Sequence, residues 1–221
     1  MQTVSHLALS WFTAEVCGLD DERDRRAVAL AGIAPDVDAV AYPIAYVLFG
    51  FDLDRAYSEV WQPVHHHYTH GMGFAILTLC IVYCLTRRRR TTHRFALKVA
   101  GLAALVSLAH VFCDVVGAGP GWPVYPLWPW SDAAWSVPWS WNVSDWPNSA
   151  ITIAMLAATL LYARAAGRSP IECLSPRLDR RVVDILHGRG RAPSRRARIR
   201  LYAGLAALCA IIVIPLVLGT T

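Results

Sequence analysis

Four long apolar stretches, at roughly 68–86, 96–118, 149–166 and 200–219, alternate along the chain with short polar or proline-rich segments. A bilayer core is crossed by about 20 mostly apolar helical residues, so each stretch predicts a transmembrane helix. The last, "RLYAGLAALCAIIVIPLVLG", is the cleanest. Before the first, the pattern is broken. Residues 4–17 and 27–34 are apolar but too short to span, "DDERDRR" separates them, and "IAPDVDAVAYPIAYVLFG" follows. Proline and two aspartates are costly in a lipid-facing helix, so this region predicts two half-helices or an interfacial hairpin. The pattern as a whole predicts an all-α, polytopic integral membrane protein with about four transmembrane helices. Its parts are a membrane-embedded region at 1–166, a basic loop at 167–199 with a short helix near 177–187, and a C-terminal helix at 200–219.

Composition agrees with the pattern, since 55% of the 221 residues are hydrophobic. The net charge of +5 raises the question of nucleic acid, and the distribution of charge answers it. Of 21 basic residues, six lie in 87–98 and eleven in 164–200, with none between Val99 and Ala163. That is the positive-inside arrangement, and it accounts for the basic balance with no nucleic-acid partner. The partners expected are membrane lipids, with "HGRGRAPSRRARIR" able to meet anionic head groups, and a small-molecule or lipid-like substrate; the sequence does not fix an oligomeric state. The N-terminus has no basic start before its apolar part, which argues against a cleaved secretory signal. Cys17, Cys80, Cys84, Cys113, Cys173 and Cys209 form no C-x-x-C pair and predict free thiols.

With both basic loops on the cytoplasmic side, the start of the 68–86 helix and the end of the 96–118 helix face outward. The loop at 119–148, "GPGWPVYPLWPWSDAAWSVPWSWNVSDWPN", also faces outward and carries seven of the nine tryptophans. Tryptophan favours the head-group zone and repeated proline excludes regular helix, so the loop predicts an interfacial lid.

Ionisable residues at membrane depth are expensive, which makes each a functional candidate. "SLAHVFCDVVG" sets His110 and Asp114 four residues apart on one helix face. His70 opens the preceding long helix, and antiparallel neighbours joined by a short loop pack together. The arginine-derived topology therefore brings His70, His110 and Asp114 to one end of a helix pair. "APDVD" adds Asp36 and Asp38, whose alternation beside a proline suits a non-helical turn aimed at a cation. "PVHHHYTH" adds His65, His66 and His67, of which His66 stands one helical turn before His70. Histidine and aspartate together suit zinc, with manganese or iron as alternatives, and such an ion activates water.

The ordered series "APDVD", "HHHYTH", "AHVFCD" and "GWPVYPLWPWSD" resembles the membrane-bound metal-dependent hydrolases of bacteria and archaea, the LexA-binding inner-membrane type. The likeness runs from His6 to about Asp132. It implies a prokaryotic cytoplasmic membrane protein with a site toward the outer face. The family's N-terminal histidine corresponds to His6, its PDxD turn to Asp36 and Asp38, its H-R-G-x-T-H-S motif to His65 and His70, and its S-H-x-x-x-D motif to His110 and Asp114. Its G-V-P-L-x-W-P segment corresponds to 126–131. This sequence departs from the pattern at His66, His67 and Gly71, at Ala109, and at Ala39. Register favours His65 as a ligand and helical spacing favours His66, so both stay candidates.

These readings converge on a hydrolase acting on a phosphoester or lipid-like bond. Its metal ligands are drawn from His6, Asp36, His65, His66, His70, His110 and Asp114. Asp36 and Asp38 are the catalytic carboxylates, Asp38 as a bridging ligand or a base, and Trp128 and Trp130 grip the substrate. Three rivals remain: a haem-binding electron carrier with His70 and His110 as axial ligands, a metal or proton transporter, and a non-catalytic membrane regulatory protein.

Overall fold

A computed structural model describes residues 1–61, 64–89 and 92–188. The chain divides into two compact units, one of Met1 and Thr3–Asn142 and the other of Gln2 with Val143 onward. Both are helical, and the described residues form no strand beyond an isolated bridge between Val124 and Trp135.

In the first unit, α1 (Thr3–Val16) and α2 (Glu22–Ala31) form a helical hairpin. It is followed by a 3₁₀ helix (Ala34–Val40), α3 (Ala41–Leu48), α4 (Leu53–Ala56) and a π turn (Tyr57–Trp61). Two longer helices, α5 (Met72–Arg89) and α6 (His93–Gly117), form the antiparallel pair on which the rest is built. Their seam is lined by small residues. Ala96, Val99, Ala100 and Ala103 of α6 are fully buried, and Val82 of α5 joins Ala14, Leu19, Val28 and Ala31 of the hairpin around them. Small side chains let helix backbones approach closely, the usual device of packing in lipid.

The N-terminal region thus forms two half-length helices, and it packs onto α6. The charged run that separates them is partly internal. Asp21 caps α2, accepting the Arg23 backbone N–H at 2.8 Å. Buried Arg25 donates to the carbonyls of Leu19 and Asp20 at 3.0 and 2.8 Å. Asp24, fully buried, takes the Arg89 guanidinium at 3.0 Å. At the other end of α2, Gly32 sits against α1 so tightly that a Cβ there would lie 1.8 Å from the Ser10 hydroxyl oxygen.

The second unit contains α7 (Trp146–Ala166), a short 3₁₀ helix (Pro170–Cys173) and α8 (Pro176–Leu186), the last matching the helix expected near 177–187. Among the described residues, α6 and α7 are long and apolar enough to cross a membrane. A third span arises if α2 is joined to the 59°-bent continuation Ala34–Leu48. The helix expected over 68–86 starts later, at Met72, because 65–71 is a turn, and it ends in Arg87, Arg88 and Arg89. The expected helix at 200–219 and Cys209 lie outside the described residues. The other five cysteines are in no disulfide among the described residues.

Candidate metal centre

The last two turns of α6 carry His110 and Asp114 on the face turned into the first unit, both buried. The His110 Nδ1 lies 2.8 Å from the Gly32 carbonyl oxygen. A carbonyl only accepts, so Nδ1 carries a proton, and in the neutral ring Nε2 is then the lone pair. The glycine has two uses here, permitting the close approach to Ser10 and placing that carbonyl.

His70, fully buried, is fixed in the same way through a longer relay. The Thr69 hydroxyl donates to Asp38 Oδ2 at 2.8 Å, so its oxygen is free to accept from His70 Nδ1 at 3.1 Å. The Nε2 of His70 is then also an open lone pair. Burial lowers the pKa of the His70 imidazole, and of His66 beside it more strongly, which keeps both neutral.

The two lone pairs face each other across a gap walled by carboxylates. His70 Nε2 and His110 Nε2 are 3.3 Å apart. Asp114 Oδ2 lies 3.0 Å from the His110 nitrogen and 3.6 Å from that of His70. Asp36 Oδ1 lies 3.3 and 3.7 Å from the same two atoms. With both imidazoles neutral, four acceptors converge here, an arrangement that a cation would satisfy. Ligand bonds of about 2.0–2.2 Å in a tetrahedral site give edges of roughly 3.3–3.6 Å. The observed separations, 3.0 to 3.7 Å, bracket that range. This buried histidine–aspartate group could hold a metal ion.

The outer oxygens of the carboxylates are held as well. Thr3 Oγ1 donates to Asp36 Oδ2 at 2.7 Å. Asp114 Oδ1 meets His6 Nε2 at 3.3 Å and the Met1 ammonium at 2.5 Å. His6 lies beside the group rather than in it, its ring stacked on His110 with centroids 3.7 Å apart.

The Asp36 and Asp38 segment is a 3₁₀ helix and not the non-helical turn expected from its alternation. At three residues per turn, side chains two apart diverge by about 120°. Asp36 therefore reaches the His70–His110 pair, while Asp38 reaches His65 Nδ1 at 2.8 Å and Thr69. The reasoning that set His66 one helical turn from His70 also fails, because 65–71 is not helical. The turn nevertheless gathers His65, His66 and His70 into a second compact group. His67 is set apart from them, stacked on Tyr125 and 3.3 Å from exposed Asp132.

The Trp/Pro-rich segment folds over the start of α5. The carbonyls of Pro126 and Trp128 accept the backbone N–H groups of Met72 and Gly73 at 2.9 and 3.0 Å. A Cβ on Gly71 would lie 2.9 Å from the Trp128 carbonyl oxygen, so that position needs glycine. Trp128 packs edge-on against Tyr68, and Trp130 is 65% exposed. The tryptophans in ring contact with the histidines are Trp61, stacked on His65 at 4.1 Å, and Trp122, about 5 Å from His65 and His66. Thr3, Gly32, Trp61, Thr69 and Trp122 are absent from the sequence-derived candidates. Thr69, inside "HHHYTH", Trp122, inside "GWPVYPLWPWSD", and Trp61, four residues before His65, stand in or near a recognisable motif.

Residues 1–216 match the YdjM inner membrane protein family. No curated protein and no solved structure matches the chain. The chain belongs to the YdjM inner membrane protein family, and with its apolar helices it is a helical protein of the cytoplasmic membrane.

Proposed function

We propose that this inner-membrane protein is a metal-dependent hydrolase whose ion is held by Asp36, His70, His110 and Asp114. The observation that carries the reading is the pair of opposed Nε2 lone pairs, each fixed by a donor bond on the other ring nitrogen, between two carboxylates at metal-ligand spacing. A divalent ion bound there, zinc on the chemistry of the donors, would supply Lewis acidity and an activated water. Four protein ligands fill a tetrahedron, so hydrolysis needs the fifth position that zinc sites adopt in reaction. Asp36, at 18% side-chain exposure, is the most open of the four ligands and marks the accessible side of the centre.

Other residues position the ligands. Asp38 holds His65 directly and His70 through Thr69, and with both oxygens so engaged it is better suited to orienting ligands than to acting as a base. Such outer partners fix ring orientation and raise ligand basicity. Burial among membrane helices, with Trp61 and Trp122 over the histidines, supports a substrate with an apolar part and a hydrolysable phosphoester or lipid-like bond.

The rivals find less support. Axial haem ligation would seat iron between two imidazoles with a porphyrin plane separating them, yet these nitrogens are 3.3 Å apart and flanked by carboxylates. A conduction path would continue in ionisable residues along α5 and α6, where apolar Val82, Val99, Ala100 and Ala103 pack with only the buried hydroxyls of Thr78, Thr86 and Ser107 among them. Elemental analysis of detergent-purified wild type, His110→Ala and Asp114→Ala, with circular dichroism as a folding control, tests the metal. About one zinc, manganese or iron per chain or more in wild type, with the central ion lost in both variants, supports the reading. A screen of phosphoester and lipid substrates then tests hydrolysis. No metal in folded wild type after divalent ions are added back would overturn it.

A further inference from the structure

Consecutive side chains in a helix or strand point well apart, but His65 and His66 do not. Their ring centroids are 4.2 Å apart with 32° between the planes. The cause is local: His66 has a backbone φ of +68°, uncommon for any residue with a Cβ. Its carbonyl accepts the Tyr125 N–H at 3.3 Å, which ties the turn to the Trp/Pro-rich segment. The His66 ring is 3% exposed, and its Nδ1 is buried with no hydrogen-bond partner. Leaving such an atom unpaired is unfavourable unless something outside the chain pairs with it.

His65 is prepared differently for the same use. Its Nδ1 is engaged by Asp38 at 2.8 Å, which leaves Nε2 as a lone pair, the carboxylate–histidine pattern that orients metal ligands. Ligand atoms of His65, His66 and His70 all lie within 4.8 Å of one another. His70 cannot serve this group through Nε2, because that nitrogen already faces His110, Asp36 and Asp114. Resting on the reading above, we propose that His65 and His66 hold a second divalent cation beside the first, of the borderline kind that imidazole prefers, such as zinc. Trp61 and Trp122 wall this second site, and its remaining positions stay open to ligands from a substrate. Two adjacent cations are a recurrent arrangement for holding both the attacking and the leaving oxygen of a phosphoester.

The test is zinc stoichiometry in the full-length, detergent-purified chain. Protein stripped by chelator is reloaded with zinc, exchanged into zinc-free buffer and measured by elemental analysis. His66→Asn is the variant of choice, since asparagine tolerates the left-handed backbone while removing the imidazole; circular dichroism and His65→Ala guard against a folding artefact. Two zinc per chain in wild type, falling to one in folded His66→Asn and in His65→Ala, is the expected result. One zinc in wild type, unchanged in both variants, would overturn the second site and leave the first intact. Loss of all zinc from either folded variant would make the histidines part of a single joint centre and would also overturn it. No zinc in wild type would remove both sites together.

Discussion

The two ends of the α5–α6 pair both carry buried polar groups, and they differ in what those groups face. At the arginine end donors meet acceptors. Asp24 takes the guanidinium of Arg89, and Arg25 spends its donors on the carbonyls of the α1–α2 turn. At the histidine end two imidazole nitrogens and two carboxylate oxygens lie within 4.8 Å of one another. The first end pairs its charged groups within the fold. The second gathers a set that could hold a metal ion, and so similar helix ends separate into a structural lock and a candidate ligand site.

That contrast can be broken first at the histidine end. Asp114→Ala removes a ligand, and zinc affinity in a competitive chelator titration is expected to fall by more than about 100-fold, since even loss of an outer partner costs roughly 10–100-fold. Thr69→Ala removes only the relay to His70, and a loss of about 10–100-fold is expected in the same titration. Retention of wild-type affinity in Thr69→Ala would show that His70 needs no such fixing. At the arginine end, Asp24→Ala strands a partly buried guanidinium, and a stability loss of about 1–3 kcal/mol with unchanged zinc content is expected. Gly32→Ala connects the two regions. Its Cβ would collide with Ser10, and overpacking costs about 1–3 kcal/mol. Because the Gly32 carbonyl holds His110, zinc affinity is expected to fall as well. The smallest effect is Trp130→Ala at an exposed position, expected to change stability by less than about 0.5 kcal/mol.

Much of the centre was legible before any coordinates. His110 and Asp114 share a face by spacing alone, and the arginine counts implied which helix ends meet, bringing His70 to them. Two readings failed for a common reason. "APDVD" suggested two carboxylates converging on one ion, and the 3₁₀ geometry sends them to different histidines. Helical spacing predicts that His66 and His70 share a face, and the left-handed backbone at His66 abolishes that spacing. In each case the sequence shows the charge or the donor type, but the backbone conformation that aims it depends on contacts distant in the chain.

The helical class, the membrane setting and the core of the candidate ligand set follow from hydropathy, charge placement and the i, i+4 spacing, because these act over a turn or two of helix and need no distant partner. Tertiary structure alone decided that the Gly32 carbonyl and the Thr69 hydroxyl fix the two tautomers, that Asp36 and Asp38 part company, and that Trp61 and Trp122 face the histidines. Gly32 is 78 residues from His110, and Thr69 is 31 from Asp38. A hydrogen bond across such separations exists only once helix packing has set the distance, and no local pattern of residues can specify it.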